Sequence, residues 1–225
     1  MKFIVIGLGN FGSALAVRLT EMGHEVIGVD NNMAKVERVK NVITHTVCLD
    51  ATNEDAVSSL PLKDANAVIV AIGEDGAASL LTTALLKQLK VKRIIGRIIS
   101  DLQKTVLLAM SIEEYVLPEE ESAERLAMRL DLEEVIDSFK ISDKYSIVEG
   151  LVPKKYAGMT IGEADFINSY KVLVLTLIRE QISKSGENLK KEATGIATAS
   201  TLLHEGDVLV LFGELANIRS LLKQD

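Results

Sequence analysis

Between the apolar run Lys2–Ile6 and the helix-patterned segment Ser13–Met22 stands Gly7-Leu8-Gly9-Asn10-Phe11-Gly12, a GxGxxG turn. Nothing else in the chain narrows its fold as far. Strand, glycine turn and amphipathic helix in succession form the opening of a βαβ unit, and each glycine has its own physical reason. Gly7 permits the tight turn, Gly9 lets a pyrophosphate approach the backbone, and Gly12 lets the helix pack closely on the strand. Free amide groups at the helix start favour an anion there.

The next strand candidate, Glu25–Val29, runs into Asp30, 23 residues beyond Gly7. A carboxylate at that place accepts hydrogen bonds from an adenosine ribose and disfavours a ribose 2′-phosphate. Further strand candidates are Ile43–Cys48, Ala67–Val70, Arg93–Arg97 and Tyr115–Leu117, separated by segments of helical period such as Ala77–Leu89. Six β-branched runs alternating with helices make a Rossmann-type parallel sheet over residues 1–118. Ligands of such sheets lie outside the carboxyl ends of the strands, so Asp50-Ala51-Thr52 and Ala71-Ile72-Gly73 point toward the same crevice. Asp50 and Thr52 are equally suited to capping a short helix that begins near Asn53, and the sequence leaves both roles open.

After Pro118 the acidic run Glu119–Glu121 suits a helix start, with cation binding as the alternative reading. The apolar spacing of Ala123, Leu126, Ala127, Leu130, Leu132, Val135 and Ile136 predicts helix to about Asp137. That stripe exceeds what one small domain needs and marks 119–139 as a crossover or dimer-forming helical segment. Residues 140–225 read as a small α+β domain: strands Ser146–Val152, Lys171–Arg179 and Val208–Phe212, a short helix near Ile161–Asn168, and a terminal helix from Glu214. The polar stretch Gln181–Glu192 reads as an exposed loop. The overall class is α/β, a Rossmann-type sheet followed by a helical crossover and a small α+β domain.

Composition excludes several functions. A formal net charge of −7 with no basic run argues against nucleic acid as a partner. The longest nearly apolar stretches, such as Val172 to Ile178, fall well short of the ~18 residues of a membrane span, so no direct membrane insertion is expected. The start runs straight into the glycine turn rather than into a signal-peptide pattern, and the one cysteine, Cys48, can form no intrachain disulfide. A cytoplasmic protein is expected. The three histidines, His24, His45 and His204, show no ligand or triad spacing, and none of the four tyrosines is followed four positions later by lysine. The acid that hydride transfer would need is not evident, so no catalytic residue is assigned.

The residues resemble a known family, the TrkA and KtrA cytosolic regulatory subunits of bacterial potassium uptake systems, built from regulator-of-potassium-conductance domains. The resemblance rests on Ile4–Gly12, Gly23–Asp30, Asp50–Thr52 and Ala71–Asp75, then on Leu80–Thr83, Leu85–Lys87 and Tyr115–Glu119. Beyond these, Tyr145–Glu149, Gly158–Gly162 and Glu205–Gly213 are similar to the family's carboxyl-terminal regulatory domain. It covers essentially the whole chain. It implies a gating protein that forms homodimers through the long helix and assembles into a ring, an octamer by resemblance. That ring docks on a membrane potassium pore subunit of the Trk or Ktr type, at the inner face of the membrane.

By the same resemblance the phosphate loop is Gly7, Leu8, Gly9, Asn10, Phe11 and Gly12. The ribose side is Asp30, Asn31 and Asn32, the adenine side is Asp50, Ala51 and Thr52, and Ala71, Ile72 and Gly73 form the crevice wall. Arg97 matches a phosphate-reaching arginine. Glu119 matches the position where some members hold a cation, divalent or monovalent, near the nucleotide at the dimer contact. The implied cofactor is an adenine nucleotide, ATP/ADP or NAD/NADH.

Two departures matter. Asn10 stands where the ATP-responsive KtrA members carry arginine, and an amide cannot replace that charge. Ile167 stands where members that bind cyclic di-AMP often have arginine, so residues 140–225 are expected not to bind it. The alternatives are an NAD-dependent oxidoreductase on the same frame, or a nucleotide sensor for another cation transporter.

Overall fold

Apolar strands buried on both faces read as unbroken β-branched runs, and the first half of the chain assembles them into one parallel sheet. The computed structural model describes residues 1–131, 134–182 and 189–223. The chain divides into two units, Met1–Glu120 and Glu121–Asp225.

The first unit runs β1 (Lys2–Ile6), α1 (Asn10–Glu21), β2 (Glu25–Asp30), α2 (Met33–Val39), β3 (His45–Cys48), α3 (Glu54–Ser58), β4 (Ala67–Val70), α4 (Gly76–Gln88), β5 (Ile94–Arg97), α5 (Asp101–Ala109) and β6 (Tyr115–Val116). Its strands order as β3-β2-β1-β4-β5-β6, all parallel. Alternation along β1 sends Ile4 and Ile6 into the cluster with Val68, Val70 and Leu107, and Val5 into the opposite one with Ala16, Val26 and Ile69. Strand order reverses between β1 and β4, so the glycine turn after β1 and the Ala71–Gly73 turn after β4 face each other at the switch point.

Most helices of this unit start on a side-chain cap. Asn32 accepts from the Ala34 amide at 2.9 Å, Asn53 from Ala56 at 3.1 Å, Asp75 from Ala78 at 2.9 Å and Ser100 from Gln103 at 3.3 Å. Helix α1 differs: its N-cap is Gly9, which has no side chain to offer. Asn53 caps α3, so the capping role open to Asp50 and Thr52 in the sequence falls to their neighbour.

Helix α6 (Pro118–Asp131) carries the chain from the first unit into the second. The expected helix to Asp137 is corrected here: Val135–Lys140 is strand β7, so 119–139 is not helical throughout. Val135 and Ile136 continue the helical spacing by coincidence, while Val135 and Asp137–Lys140 pair with β8 (Tyr145–Leu151) and make this segment a strand. Leu132 lies outside the described residues.

The second unit continues with α7 (Ile161–Ala164), α8 (Phe166–Tyr170), β9 (Leu173–Ile182), β10 (Leu189–Ala193), β11 (Val208–Glu214) and α9 (Leu215–Leu222). Its antiparallel sheet orders β10-β9-β11-β8-β7. The core gathers Val148, Phe166, Leu177, Leu209 and Leu211 with Ile218, Leu221 and Leu222 of α9. The helix expected near Ile161–Asn168 is broken by Asp165 at φ 49°. Ile167 lies exposed on α8. The expected loop Gln181–Glu192 contains strand at both ends, β9 to Ile182 and β10 from Leu189, and residues 183–188 lie outside the described ones. No helix of the described residues is long and apolar enough to cross a membrane.

Asp207, 3% exposed, ties β9 to the turn before β11. Its Oδ1 accepts from Arg179 Nε at 2.7 Å, and its Oδ2 from Arg179 Nη2 at 2.6 Å and from the His204 amide at 3.0 Å. Burial pushes this carboxyl up, but the arginine and amide hydrogen bonds outweigh it and leave the group below the usual aspartate range. A depressed carboxyl contributes stability above its unfolded value of about 4, and that contribution disappears as pH falls through the lower folded value. Asp207→Asn is therefore expected to lower stability at neutral pH by about 2 kcal/mol and to flatten the acid limb of stability against pH. Denaturant unfolding of parent and variant between about pH 3 and 7 checks this; parallel acid limbs would refute it.

Candidate functional site

The crevice of about 410 Å³ at the switch point is built from the ends of five strands. From the turn after β1 come Gly7, Gly9 and Asn10; from the end of β2, Asp30 and Asn31; from the turn after β3, Asp50, Ala51 and Thr52; and from the turn after β4, Ala71, Ile72 and Gly73. Arg97, closing β5, lines the same cavity.

Four expected contacts do not line it. Leu8 is buried and gives its amide to Asp30. Phe11 places its ring under the Arg97 guanidinium, 5.6 Å away. Gly12 is packed against Gly7, and Asn32 caps α2. These residues shape the crevice from behind.

The geometry of the glycine turn follows from crowding. Gly7 has φ 97°, a left-handed conformation that side chains rarely adopt, and a Cβ there would lie 2.8 Å from the Ile72 nitrogen. A Cβ on Gly12 would fall 1.8 Å from the Gly7 carbonyl oxygen. Gly9 has nothing within 4 Å of the corresponding position. Two glycines are thus required by the protein itself, and the third leaves open space in front of the uncapped start of α1.

Asp30 is 8% exposed and organises this turn. Its Oδ2 accepts the Leu8 amide at 2.7 Å and its Oδ1 the Asn32 amide at 2.8 Å. Two amides engage only part of a carboxylate's roughly four acceptor positions, so Asp30 keeps capacity for ribose hydroxyls. Asp50 accepts at Oδ1 from the Thr52 amide at 2.9 Å and the Thr52 hydroxyl at 2.7 Å, bonds that hold its carboxyl below the usual range.

Arg97 has a side chain only 14% exposed. Its Nη2 donates to Glu119 Oε1 in the first turn of α6, its Nη1 makes a long 3.4 Å contact to the Ala71 carbonyl, and its buried Nε has no acceptor. Gly73 leaves room for this guanidinium: a Cβ there would lie 2.5 Å from Nη1. Partial burial raises the Glu119 carboxyl, yet the Arg97 hydrogen bond leaves it below the ordinary glutamate range. Glu119 is thus a partner of Arg97, and among the described residues no three His, Cys, Asp or Glu side chains stand together as a cation site.

Sequence reasoning missed the contributions of α2 and α4. Lys35 and Arg38 line the crevice from α2, Glu74 and Asp75 from the turn before α4, and Thr82 from α4 itself. Lys35 Nζ pairs with Glu74 Oε2 at 3.0 Å, and Thr82 Oγ1 donates to the Ala51 carbonyl at 3.1 Å. The buried Thr82-Thr83 pair inside an apolar helix was the signal that could have pointed to α4.

The TrkA-N domain family model matches residues 3–118, the whole glycine-turn sheet. The chain belongs to the TrkA-N family. Ktr system potassium uptake protein C of Bacillus subtilis (strain 168) is 32% identical over 217 residues, 96% of this chain and 94% of that protein. Ktr system potassium uptake protein A of the same organism is 33% identical over 218 residues, 97% of this chain and 94% of the relative. Among solved structures, the GsuK channel bound to NAD superposes with a TM-score of 0.64 at 17% identity, covering 98% of this chain and 38% of the channel chain. At that identity the likeness is one of fold, and it takes in residues of both units.

Proposed function

We propose that this TrkA-N protein is the nucleotide-binding regulatory subunit of a potassium uptake system. The observation that carries the reading is the crevice itself: an uncapped helix start, an open Gly9 and a largely buried arginine face the same cavity. Free amides and a guanidinium suit phosphate, and Asp30 suits an unmodified ribose. The names of its relatives, Ktr system potassium uptake proteins C and A, supply the process. The NAD held by the GsuK channel supplies one ligand of the right class.

In this reading the bound nucleotide is a signal. ATP/ADP or NAD/NADH exchange shifts the protein between conformations only as far as their contacts with each differ. The chain pairs through α6, builds a ring, octameric by family resemblance, and docks on a Trk- or Ktr-type pore subunit at the inner membrane face. Residues 1–118 serve as the nucleotide domain and 140–225 as the regulatory one.

Calorimetric titration with ATP, ADP, NAD, NADH and NADPH tests it. At least one of the first four is expected to bind at micromolar affinity, and NADPH about tenfold or more weaker than NADH because its 2′-phosphate meets Asp30. If none binds, the regulatory reading fails.

A further inference from the structure

We propose that Glu119 is a built-in competitor for the nucleotide's phosphates, holding Arg97 until a phosphate displaces it and thereby untying the first turn of α6 from the crevice wall. The proposal rests on the reading of the crevice as a nucleotide site.

The argument begins with what a nearly buried guanidinium needs. A charge removed from water is stable only beside an opposite charge with its donors satisfied. Arg97 has the charge partner, Glu119, but not the satisfaction. Glu119 meets Nη2 alone, while Nε on the same edge of the guanidinium has no acceptor and Nη1 has only a long contact. That edge is the one to which a carboxylate or phosphate binds through two parallel hydrogen bonds. Glu119 therefore makes a one-point contact where a two-point contact is available.

The surroundings keep the guanidinium in place. Phe11 lies on one face, and Gly73 packs so closely that a side chain there would collide with Nη1. Arg97 shares its cavity with Gly9 and Asn10 of the glycine turn. A pyrophosphate at the helix start brings oxygens toward a cation already positioned for them, and it offers more charge than one carboxylate. The loser of that exchange is Glu119, 61% exposed and able to return to water.

Displacement has a mechanical consequence because Glu119 belongs to the first turn of α6, the helix that carries the chain from the first unit into the second. The same residue thus sets the affinity of the crevice and reports its occupancy. By linkage, whatever phosphate binding does to this contact, loss of the contact does to phosphate binding.

Glu119→Gln should therefore tighten binding, the opposite of what loss of a ligand-holding residue does. With the full chain in EDTA, titration with ADP and with NAD is expected to give affinities about tenfold higher for the variant than for the parent, equal to about 1.4 kcal/mol. Adenosine, which has no phosphate, should bind both alike. Unchanged or weaker ADP binding by Glu119→Gln, with the parent binding normally, would overturn the competition. So would a loss of affinity that appears only when magnesium is added, which would make Glu119 a cation ligand instead. Failure of parent and variant alike to bind any phosphate ligand would overturn the crevice reading and this proposal with it.

Discussion

Alanine at Gly12 is expected to destabilise the first unit by about 4 kcal/mol or more and to abolish measurable nucleotide binding. The added Cβ would stand 1.8 Å from the Gly7 carbonyl oxygen and 3.1 Å from the Ala71 side chain. Neither neighbour can yield cheaply, because the first is backbone in a left-handed turn and the second lies in the core beneath the crevice. The roughly 1 kcal/mol by which alanine outranks glycine inside a helix is too small to compensate. Gly9→Ala is the control that gives this its meaning. Its φ of −67° suits alanine, and nothing lies within 4 Å of the new atom. Stability should shift by no more than about 1 kcal/mol, while nucleotide affinity falls about tenfold or more because a methyl group occupies the approach to the helix start. Parallel unfolding curves and titrations decide the matter. Equal loss of stability in both variants would refute the division of labour among these glycines.

The second large effect is expected at Asp30. Removing its carboxylate leaves the Leu8 amide without an acceptor inside the fold and frees the Asn32 amide at the start of α2. Hydrogen bonds to a charged group are worth about 1.5–3 kcal/mol each, so Asp30→Ala should lose about 3 kcal/mol once water recovers part of the deficit. Asp30→Asn keeps an acceptor for one amide only and should fall between alanine and the parent. Nucleotide binding is expected to weaken in both, through the proposed ribose contact and through the loosened turn. A urea denaturation curve for Asp30→Ala within about 0.5 kcal/mol of the parent would show that the carboxylate does not pin the turn.

The parallel sheet was legible in the sequence because its strands are buried on both faces, and Ala67-Val68-Ile69-Val70 cannot read as anything but apolar. The glycine turn was legible for a sharper reason, since Gly7 and Gly12 answer crowding problems and Gly9 keeps the helix start open, each at a known place in a βαβ unit. Strand β10 was not legible. Lys191, Glu192 and Ala193 are exposed on an edge strand, so no alternation is imposed and the polar composition imitates a loop. Strand β7 was hidden differently, because Val135 and Ile136 fall where a continuing helix would also place apolar residues.

At the candidate site, the residues at strand ends could be read from topology, whereas partners could not. Arg97 and Glu119 are joined only by the fold, and no spacing rule relates them. Lys35 and Thr82 face the crevice because α2 and α4 pack beside it, which local pattern does not encode. Asn53 rather than Asp50 or Thr52 caps α3, a choice settled by backbone geometry that the three neighbouring polar residues disguise.

The strand order of the second unit has a bearing on how the protein is made. Strand β11 sits at the centre of its sheet, bonded to β9 on one side and β8 on the other, yet it follows both in the chain. A ribosome therefore exposes β8 and β9 before the strand that joins them exists. Until Val208–Glu214 emerges, two unpaired edges wait with their apolar faces uncovered, a condition that invites association with other nascent chains. The last strand to be synthesised is the keystone, and the waiting time before it arrives is when this unit most needs a chaperone.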